Sequence, residues 1–198
     1  MILRLEDLAI ARMPEGASEQ IIEDLKWAGF DWVGEPEYQH ERTAIYQEAL
    51  EVLESLRDSD GDLLIYPCFC SRSDIRAIAA PQEGDGFIRY PGTCRNLRKT
   101  AQGLAQIEKR LQNNQQHSLR LAAPQDDSSQ ANIDFEDAIF GSQSFNIARD
   151  LGDMVIRRAD GVFSYQLAVV VDDVLSGVND IVRGRDLLRS TALQIWIG

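Results

Sequence analysis

The three cysteines of this chain lie close together in the sequence and could bind one metal ion. Cys68 and Cys70 form a C-F-C segment, and Cys94 follows in the segment Y-P-G-T-C-R. Thiolates are soft ligands that suit Zn²⁺ at a Zn–S distance of about 2.3 Å. Three sulfurs leave one position of a tetrahedral site open. The nearest oxygen donor at a suitable spacing is Tyr90, four residues before Cys94.

Two other uses of these cysteines stay open on spacing alone. Free cysteine is often buried as a small hydrophobic residue. A disulfide between Cys94 and one of the pair would leave an odd thiol, which argues weakly against a secreted protein. Both histidines, His40 and His117, are distant in sequence from a cysteine pair that lacks the usual C-x2-C spacing.

Composition limits the class of protein. With 198 residues, of which 44% are hydrophobic, we expect one large domain or one domain with an insertion, and a sizeable core. No apolar run is long enough to span a membrane, and the N-terminal segment M-I-L-R-L-E-D carries charge where a signal peptide is apolar. We therefore expect a cytoplasmic, monomeric protein without a membrane association.

The net charge of −12 weighs against nucleic-acid binding, because phosphate binding requires Lys and Arg. An acidic protein can nevertheless hold a basic face. Five arginines near the C-terminus could border an RNA path or could be solvated and paired with Asp160 and Asp186. They are Arg157, Arg158, Arg183, Arg185 and Arg189.

Hydrophobic periodicity predicts alternating elements at both ends of the chain. Strands are predicted at residues 2–5, 63–66, 117–121 (as an edge strand), 154–158 and 178–182. Helices are predicted at residues 18–28, 39–57, 100–115 and 165–175, from 71 and from 187, with a loop at 81–86. Pro67 is expected to end its strand, and Trp27, Phe30 and Trp32 are expected in the core. This order indicates an α/β fold with an open, mostly parallel sheet and a mixed inserted subdomain.

Two predicted strand ends carry opposite charges. Glu6 follows the first strand and Arg183 follows the strand at 178–182. In open parallel sheets ligands bind beyond the carboxyl ends of the strands, so these groups could clamp the two charged groups of an amino acid. Tyr165, at the start of its helix, could add a hydroxyl. The alternative is a surface ion pair and a core tyrosine.

Several segments resemble the class I glutamyl-tRNA synthetase catalytic domain. They are R-L-E-D-L at 4–8, E-Q-I-I-E-D-L-K-W-A-G-F-D-W-V-G at 19–34, Q-H-E-R at 39–42, Y-Q-L-A-V-V-V-D-D at 165–173 and I-V-R-G-R-D-L-L at 181–188. The segments Y-P-C-F-C-S-R at 66–72 and Y-P-G-T-C-R at 90–95 resemble the zinc site of the glutamyl-Q tRNA(Asp) synthetases, which are short paralogues.

This resemblance implies a Rossmann-like catalytic core at residues 1–66 and 159–198, with an inserted α+β zinc subdomain at 67–158. It implies that ATP, with Mg²⁺, activates L-glutamate, and that the glutamyl group is transferred to the queuosine base of tRNA(Asp). Glu6, Tyr165 and Arg183 match the family's glutamate-binding positions. Its zinc ligands correspond to Cys68, Cys70, Tyr90 and Cys94.

The chain departs from the family at the nucleotide motifs. The family's H-I-G-H-like and K-M-S-K-S-like segments are absent, the Rossmann-like sheet is therefore incomplete, and Ala9 stands where the family has a second Asp. No catalytic residue is assigned. We expect a fragment of the enzyme or an inactive relative. A non-catalytic, zinc-stabilised RNA-binding module, or a fragment of a glutamyl-tRNA synthetase that charges the tRNA 3′ end, are the alternatives.

Overall fold

The computed structural model describes residues 1–78 and 88–198, so the loop predicted at 81–86 lies outside the described residues. The strands are β1 (Arg4–Leu5), β2 (Glu37–Tyr38), β3 (Ile65–Cys68), β4 (Ser118–Leu121), β5 (Asn132–Asp137), β6 (Gly141–Asn146) and β7 (Met154–Arg157). The helices are α1 (Ala17–Trp27), α2 (Thr43–Ser55), α3 (Arg72–Ile78), α4 (Thr93–Leu97), α5 (Ala101–Gln112), α6 (Tyr165–Leu175) and α7 (Leu188–Ile197). None of these helices is both long and apolar enough to cross a lipid bilayer.

The N-terminal part forms a parallel strand pair with helices beside it. Strands β1 and β2 are parallel, with Arg4 opposite Glu37 and Leu5 opposite Tyr38. Helix α1 connects them and matches its prediction to within one residue at each end. The predicted helix at 39–57 is divided: residues 39–42 form a 3₁₀ turn, and α2 follows. This pair is the parallel sheet of the described residues.

The middle part is an antiparallel sheet in the order β3-β4-β7. The predicted edge strand at 117–121 is wrong in position: β4 is the central strand, and both of its edges are hydrogen-bonded. Pro67 does not end its strand but lies inside β3. Strand β3 pairs only with β4 among the described residues, and proline is tolerated in an edge strand because its nitrogen can face away from the ladder.

Helix α3 begins at a reciprocal capping interaction, as its S-x-x-D sequence predicts. The backbone N–H of Asp74 donates to Ser71 Oγ at 3.1 Å, and the N–H of Ser71 donates to Asp74 Oδ2 at 2.8 Å.

Strands β5 and β6 form a separate antiparallel hairpin, with Phe135 and Phe145 stacked at 6.1 Å between ring centroids.

The C-terminal part agrees with the predicted helices but not with the predicted strand at 178–182. Helix α6 has the predicted bounds, with Ser164 as its N-cap. Residues 178–182 have no regular secondary structure and no strand partner among the described residues, and Val182 is 99% exposed. Their β-branched composition favours a strand, but strand formation also needs a neighbour to accept its hydrogen bonds.

Two of the three aromatic residues expected in the core are exposed. Trp27 is 90% exposed and Phe30 is 52% exposed, whereas Trp32 is half-buried beside the ammonium of Lys26. Helix α1 has no fully buried residue. The apolar residues of α1 are thus at most partly covered by the described part of the chain, and the expectation that Trp27 lies in the core was wrong.

The buried residues form two clusters. The main cluster packs α2, α6 and α7 against the sheet and includes Tyr46, Leu50, Ile156 and Leu167. The smaller cluster consists of Tyr66, Cys68, Tyr90, Cys94 and Ala122. The candidate metal ligands thus have a packing environment of their own beside the main core.

A buried carboxylate joins the N-terminal part to α6. Asp172 is fully buried and accepts hydrogen bonds from Gln39 Nε2, Tyr46 Oη and Arg42 Nε, each at 2.8 Å. Arg4 lies 3.7 Å from the same carboxylate and donates to the adjacent Asp173 at 2.7 Å. A buried charge is tolerated only when it is paired and hydrogen-bonded, so this network determines how these elements meet.

Replacing Asp172 should therefore destabilise the protein strongly. We expect Asp172→Asn to lower the free energy of unfolding by about 3 kcal/mol, because the substitution removes the charge and presents an amide donor to existing donors. Urea denaturation followed by circular dichroism measures the loss. Asp180→Asn, at an exposed position, should change stability by less than about 0.5 kcal/mol. Equal effects of the two substitutions would contradict the central role of Asp172.

Candidate metal centre and substrate cleft

The structure brings together the four residues whose spacing suggested a metal site. The sulfur atoms of Cys68, Cys70 and Cys94 lie within 4.8 Å of one another, and all three thiols are free. Cys70 Sγ is 3.6 Å from Cys94 Sγ. Tyr90 Oη is 3.4 Å from Cys68 Sγ and 3.7 Å from Cys70 Sγ. One sphere of ligand atoms therefore contains three sulfurs and one phenol oxygen.

These separations fit a tetrahedral zinc ion. With Zn–S at about 2.3 Å and Zn–O at about 2.0 Å, tetrahedral angles place sulfur atoms about 3.8 Å apart and sulfur and oxygen about 3.5 Å apart. Four protein donors close the coordination sphere, as in structural rather than catalytic zinc sites. Three sulfurs and one oxygen are donors that Zn²⁺ accepts. The site is also shielded from solvent, since Cys68 and Cys94 are each 1% exposed.

The local backbone structure brings the side chains of the four candidate ligands close together. Cys68 is the last residue of β3, and Cys70 lies in the turn before α3. Gly92 precedes α4 with φ of 77°, a left-handed conformation that a side chain would strain, and so places Cys94 in the first turn of that helix. The N–H of Cys94 donates to Tyr90 Oη at 2.8 Å, and the N–H of Phe69 donates to Cys94 Sγ at 3.4 Å.

A second buried carboxylate lies behind the ligands. Asp153 accepts hydrogen bonds from Tyr66 Oη at 2.5 Å, from Arg95 Nη1 at 3.0 Å and from the N–H of Ala123 at 2.8 Å. The backbone carbonyl of Asp153 accepts a hydrogen bond from Arg120 at 2.9 Å. Tyr66 precedes Cys68 in β3 and Arg95 follows Cys94, so the same carboxylate restrains both sides of the ligand set.

Asp153 and Arg120 were not predicted as part of the site. The guanidinium of Arg120 lies 3.8 Å from the centroid of the Tyr90 ring. The available signal was weak: Arg120 stands between leucines in a predicted strand, and Asp153 directly precedes another strand. A charged residue at such a position indicates burial with a partner, but not which partner.

The pKa values of the candidate ligands shift in different directions: that of Cys68 is lowered, and those of Tyr90 and Cys94 are raised. A hydrogen bond from the Cys94 thiol lowers the pKa of the Cys68 thiol, although burial opposes it. Burial raises the pKa of the Tyr90 phenol. A metal ion bound here would displace protons from the thiols and from Tyr90, so metal binding should strengthen as pH rises.

A cleft of about 830 Å³ extends from the cysteines to the end of β1. Glu6 and Tyr165, two of the three predicted glutamate-binding residues, line this cleft together with Gln39. Cys68 and Cys70 line the same cleft. Sequence analysis did not place Gln39 in the site, although it belongs to the Q-H-E-R segment.

Arg183, the third predicted glutamate-binding residue, is not among the residues that line this cleft. Its guanidinium donates to Gln194 Oε1 and, at 2.6 Å, to Thr191 Oγ1. Gln194 in turn donates to Gln166 at 2.8 Å, next to Tyr165 in α6. A hydrogen-bond chain therefore links Arg183 to the helix that carries Tyr165, but does not bring the guanidinium into the cleft.

The late arginines have several different partners. Arg158 and Arg12 both pair with Asp160, and Arg185 lies 5.3 Å from the centroid of the Phe140 ring. Arg157 donates to the carbonyl of Gly161 at 3.0 Å. Arg157, Arg158 and Arg185 thus each have a partner within the described part of the chain.

The comparison with known proteins identifies the class. Residues 1–198 match the family described as tRNA synthetases class I (E and Q), catalytic domain. A glutamate tRNA ligase from Elizabethkingia meningosepticum, solved in complex with its amino acid, superposes with a TM-score of 0.73 at 27% identity and covers 98% of this chain and 39% of that chain. The glutamate-tRNA synthetase of Elizabethkingia anophelis gives a TM-score of 0.76 at 27% identity, over 98% of this chain and 39% of that chain. The chain belongs to this class I synthetase family of ligases.

Within the class I synthetases, the chain is similar in sequence to glutamyl-Q tRNA(Asp) synthetases. It is 43% identical to a glutamyl-Q tRNA(Asp) synthetase of Neisseria meningitidis over 99% of this chain and 59% of the relative. It is 40% identical to that of Geobacter sulfurreducens, over 98% of this chain and 55% of the relative. The chain thus spans somewhat more than half the length of these relatives. The predicted family resemblance is confirmed.

The cleft suggests a pH-dependent test at Glu6. Glu6 is an exposed residue, but desolvation of its carboxyl raises its pKa; Arg4 opposes this shift, and Asp173 and Asp172 add to it. A carboxyl whose pKa is higher in the folded state than in the unfolded state destabilises the fold once it ionises. The free energy of unfolding therefore falls as the pH rises through the folded-state pKa. We expect Glu6→Gln to raise the unfolding temperature of the ligand-free chain at pH 7 and to have no such effect below pH ~4.

Thermal unfolding at both pH values measures this difference. Glu23→Gln, in α1 and outside the residues that line the cleft, is the control and should behave alike at both pH values. If Glu6→Gln lowered the unfolding temperature at pH 7, the surroundings of Glu6 would favour its charged form, contrary to the expectation.

Proposed function

We propose that this chain provides the glutamate-binding and zinc-binding parts of a glutamyl-Q tRNA(Asp) synthetase. The reaction is activation of L-glutamate by ATP, with Mg²⁺, followed by transfer of the glutamyl group to the queuosine base of tRNA(Asp). The observation that carries the proposal is sequence identity of about 40% with such enzymes over nearly the whole chain. The close approach of the Cys68, Cys70 and Cys94 sulfur atoms, with the Tyr90 hydroxyl beside them, supports it.

Three side chains bind glutamate in this proposal. Glu6 pairs with the substrate ammonium group and Tyr165 donates its hydroxyl within the same cleft. Arg183 pairs with a substrate carboxylate, for which a planar guanidinium gives two parallel hydrogen bonds. Because Arg183 does not line this cleft in the described structure and is held by Gln194 and Thr191, the proposal requires its guanidinium to leave these neutral acceptors and move to the charged substrate carboxylate.

The zinc ion has a structural role in this proposal. All four coordination positions are filled by protein ligands, namely Cys68, Cys70, Tyr90 and Cys94. The ion then stabilises the subdomain that contacts RNA, and the ion itself does not contact glutamate. We propose the division into a core at residues 1–66 and 159–198 and an insertion at 67–158. The β3-β4-β7 sheet spans the first boundary, so folding of the two parts is coupled.

Zinc content gives a direct prediction. The chain purified under reducing conditions should contain one zinc ion per molecule, measured by elemental analysis. Tyr90→Phe should retain the three sulfur ligands but weaken zinc binding, because the fourth donor is lost and its place is taken by water. A chromophoric chelator in competition measures the affinity. Tyr38→Phe, outside both the cleft and the cysteine cluster, should bind zinc like the unaltered chain. A zinc-free parent chain would disprove the metal site.

Exchange and transfer assays test the activity. Glutamate-dependent exchange of pyrophosphate into ATP reports adenylate formation. Where exchange is observed, labelled glutamate should appear in the anticodon-loop fragment of tRNA(Asp) that contains queuosine, and not in matched tRNA(Asp) without queuosine. Label on the 3′ end would instead assign the chain to the glutamyl-tRNA synthetases. Zinc binding without any exchange would favour a non-catalytic RNA-binding module.

A further inference from the structure

The phenol of Tyr90 is the least conventional ligand of the proposed zinc site, and its ring is in contact with a buried cation. The Arg120 guanidinium lies 3.8 Å from the ring centroid, and Arg120 and Tyr90 are 7% and 6% exposed. A guanidinium stacks flat on an aromatic face in a way that an ammonium group cannot reproduce. The stack therefore limits the rotation of the ring.

Arg120 is itself held in place by the backbone. Its Nη1 donates to the carbonyl of Asp153 at 2.9 Å, and its position in β4 lies directly opposite Tyr66 in β3. The Asp153 carboxylate binds Tyr66 and also Arg95, the neighbour of Cys94. The restraint on Tyr90 is therefore continuous with the restraints on the strand and the helix that carry the cysteines.

We propose that Arg120 is a positioning residue for the metal site: with Asp153 as its anchor, it holds the Tyr90 oxygen at the fourth coordination position before the metal arrives. The inference rests on the zinc site of the proposed function and extends it to residues that would not touch the metal. Outer contacts of this kind orient ligands, and their loss typically reduces metal affinity by about 10- to 100-fold.

The chain contains a matched control for this stack. Arg98 lies over the ring of Tyr66, 4.7 Å from its centroid, and donates to the carbonyl of Leu63 at 2.7 Å. Both arginines thus stack on a tyrosine and bind one backbone carbonyl. Only Arg120 stacks on a proposed ligand.

The test is a comparison of Arg120→Met with Arg98→Met in the full chain. After removal of metal under reducing conditions, Zn²⁺ affinity is measured by competition with a chromophoric chelator. We expect Arg120→Met to weaken binding by about 10- to 100-fold and Arg98→Met, at an arginine that stacks on Tyr66 rather than on a ligand, to weaken it by a clearly smaller factor. With Co²⁺ in place of zinc, Arg120→Met should also alter the ligand-field absorption of the tetrahedral ion, because the phenol is no longer held in place.

The remaining outcomes are also decisive. Unchanged zinc affinity in a folded Arg120→Met chain, or equal losses in both variants, would overturn the proposal. If Arg120→Met does not fold, Arg120→Lys replaces it: reduced affinity with an altered Co²⁺ spectrum supports the role of the stack, and unaltered binding disproves it. Absence of zinc binding by the parent chain would instead disprove the zinc site of the proposed function.

Discussion

The position of the Asp172 carboxylate is the constraint on which the arrangement of the main core depends. A charge without access to water is stable only if donors surround it, and its donors come from the 3₁₀ turn after β2 and from α2. Helix α6 can therefore dock in only one register. Desolvation is the main cause of the raised pKa of Glu6, and the Asp172 charge adds to it, so the interaction that joins the elements also reaches the cleft.

The cysteine cluster repeats this arrangement on a smaller scale. Asp153 is a buried carboxylate with a tyrosine, an arginine and a backbone N–H as donors, and it lies between the two segments that carry the sulfurs. The ligand set is thus assembled by contacts other than metal bonds. A metal ion binding to such a site loses less free energy to ordering of the chain than one that must organise a loop.

Features that depend on neighbours in sequence could be predicted, and features that depend on distant partners could not. The capping interaction of α3 and the bounds of α6 follow from local side chains and periodicity. The ligand set was accessible because it occupies a short window with a recognisable resemblance. The strand predicted at 178–182 and the burial of Trp27 were wrong because each needed a packing partner that periodicity does not specify.

The contacts behind the ligands were inaccessible for the same reason. Arg120 and Tyr90 are far apart in sequence, and nothing in either segment indicates that the guanidinium stacks on the phenol. Likewise, the hydrogen bonds of Arg183 to Gln194 and Thr191 could not be read from the strand-end argument that placed Arg183 in the site. Sequence reasoning identified the candidate ligands but not the side chains that hold them.

Pro67 has a consequence for association between molecules. The N–H of Ala122 donates to the carbonyl of Leu64, so these two residues form a hydrogen-bonded pair of the antiparallel ladder. Hydrogen-bonded and non-hydrogen-bonded pairs alternate along the ladder. Pro67 therefore belongs to a non-hydrogen-bonded pair, and its nitrogen points away from β4. That edge of the strand lacks a donor where a strand of another molecule would need one. A single ring thus protects the segment beside the cysteines against edge-to-edge aggregation while leaving its internal pairing intact.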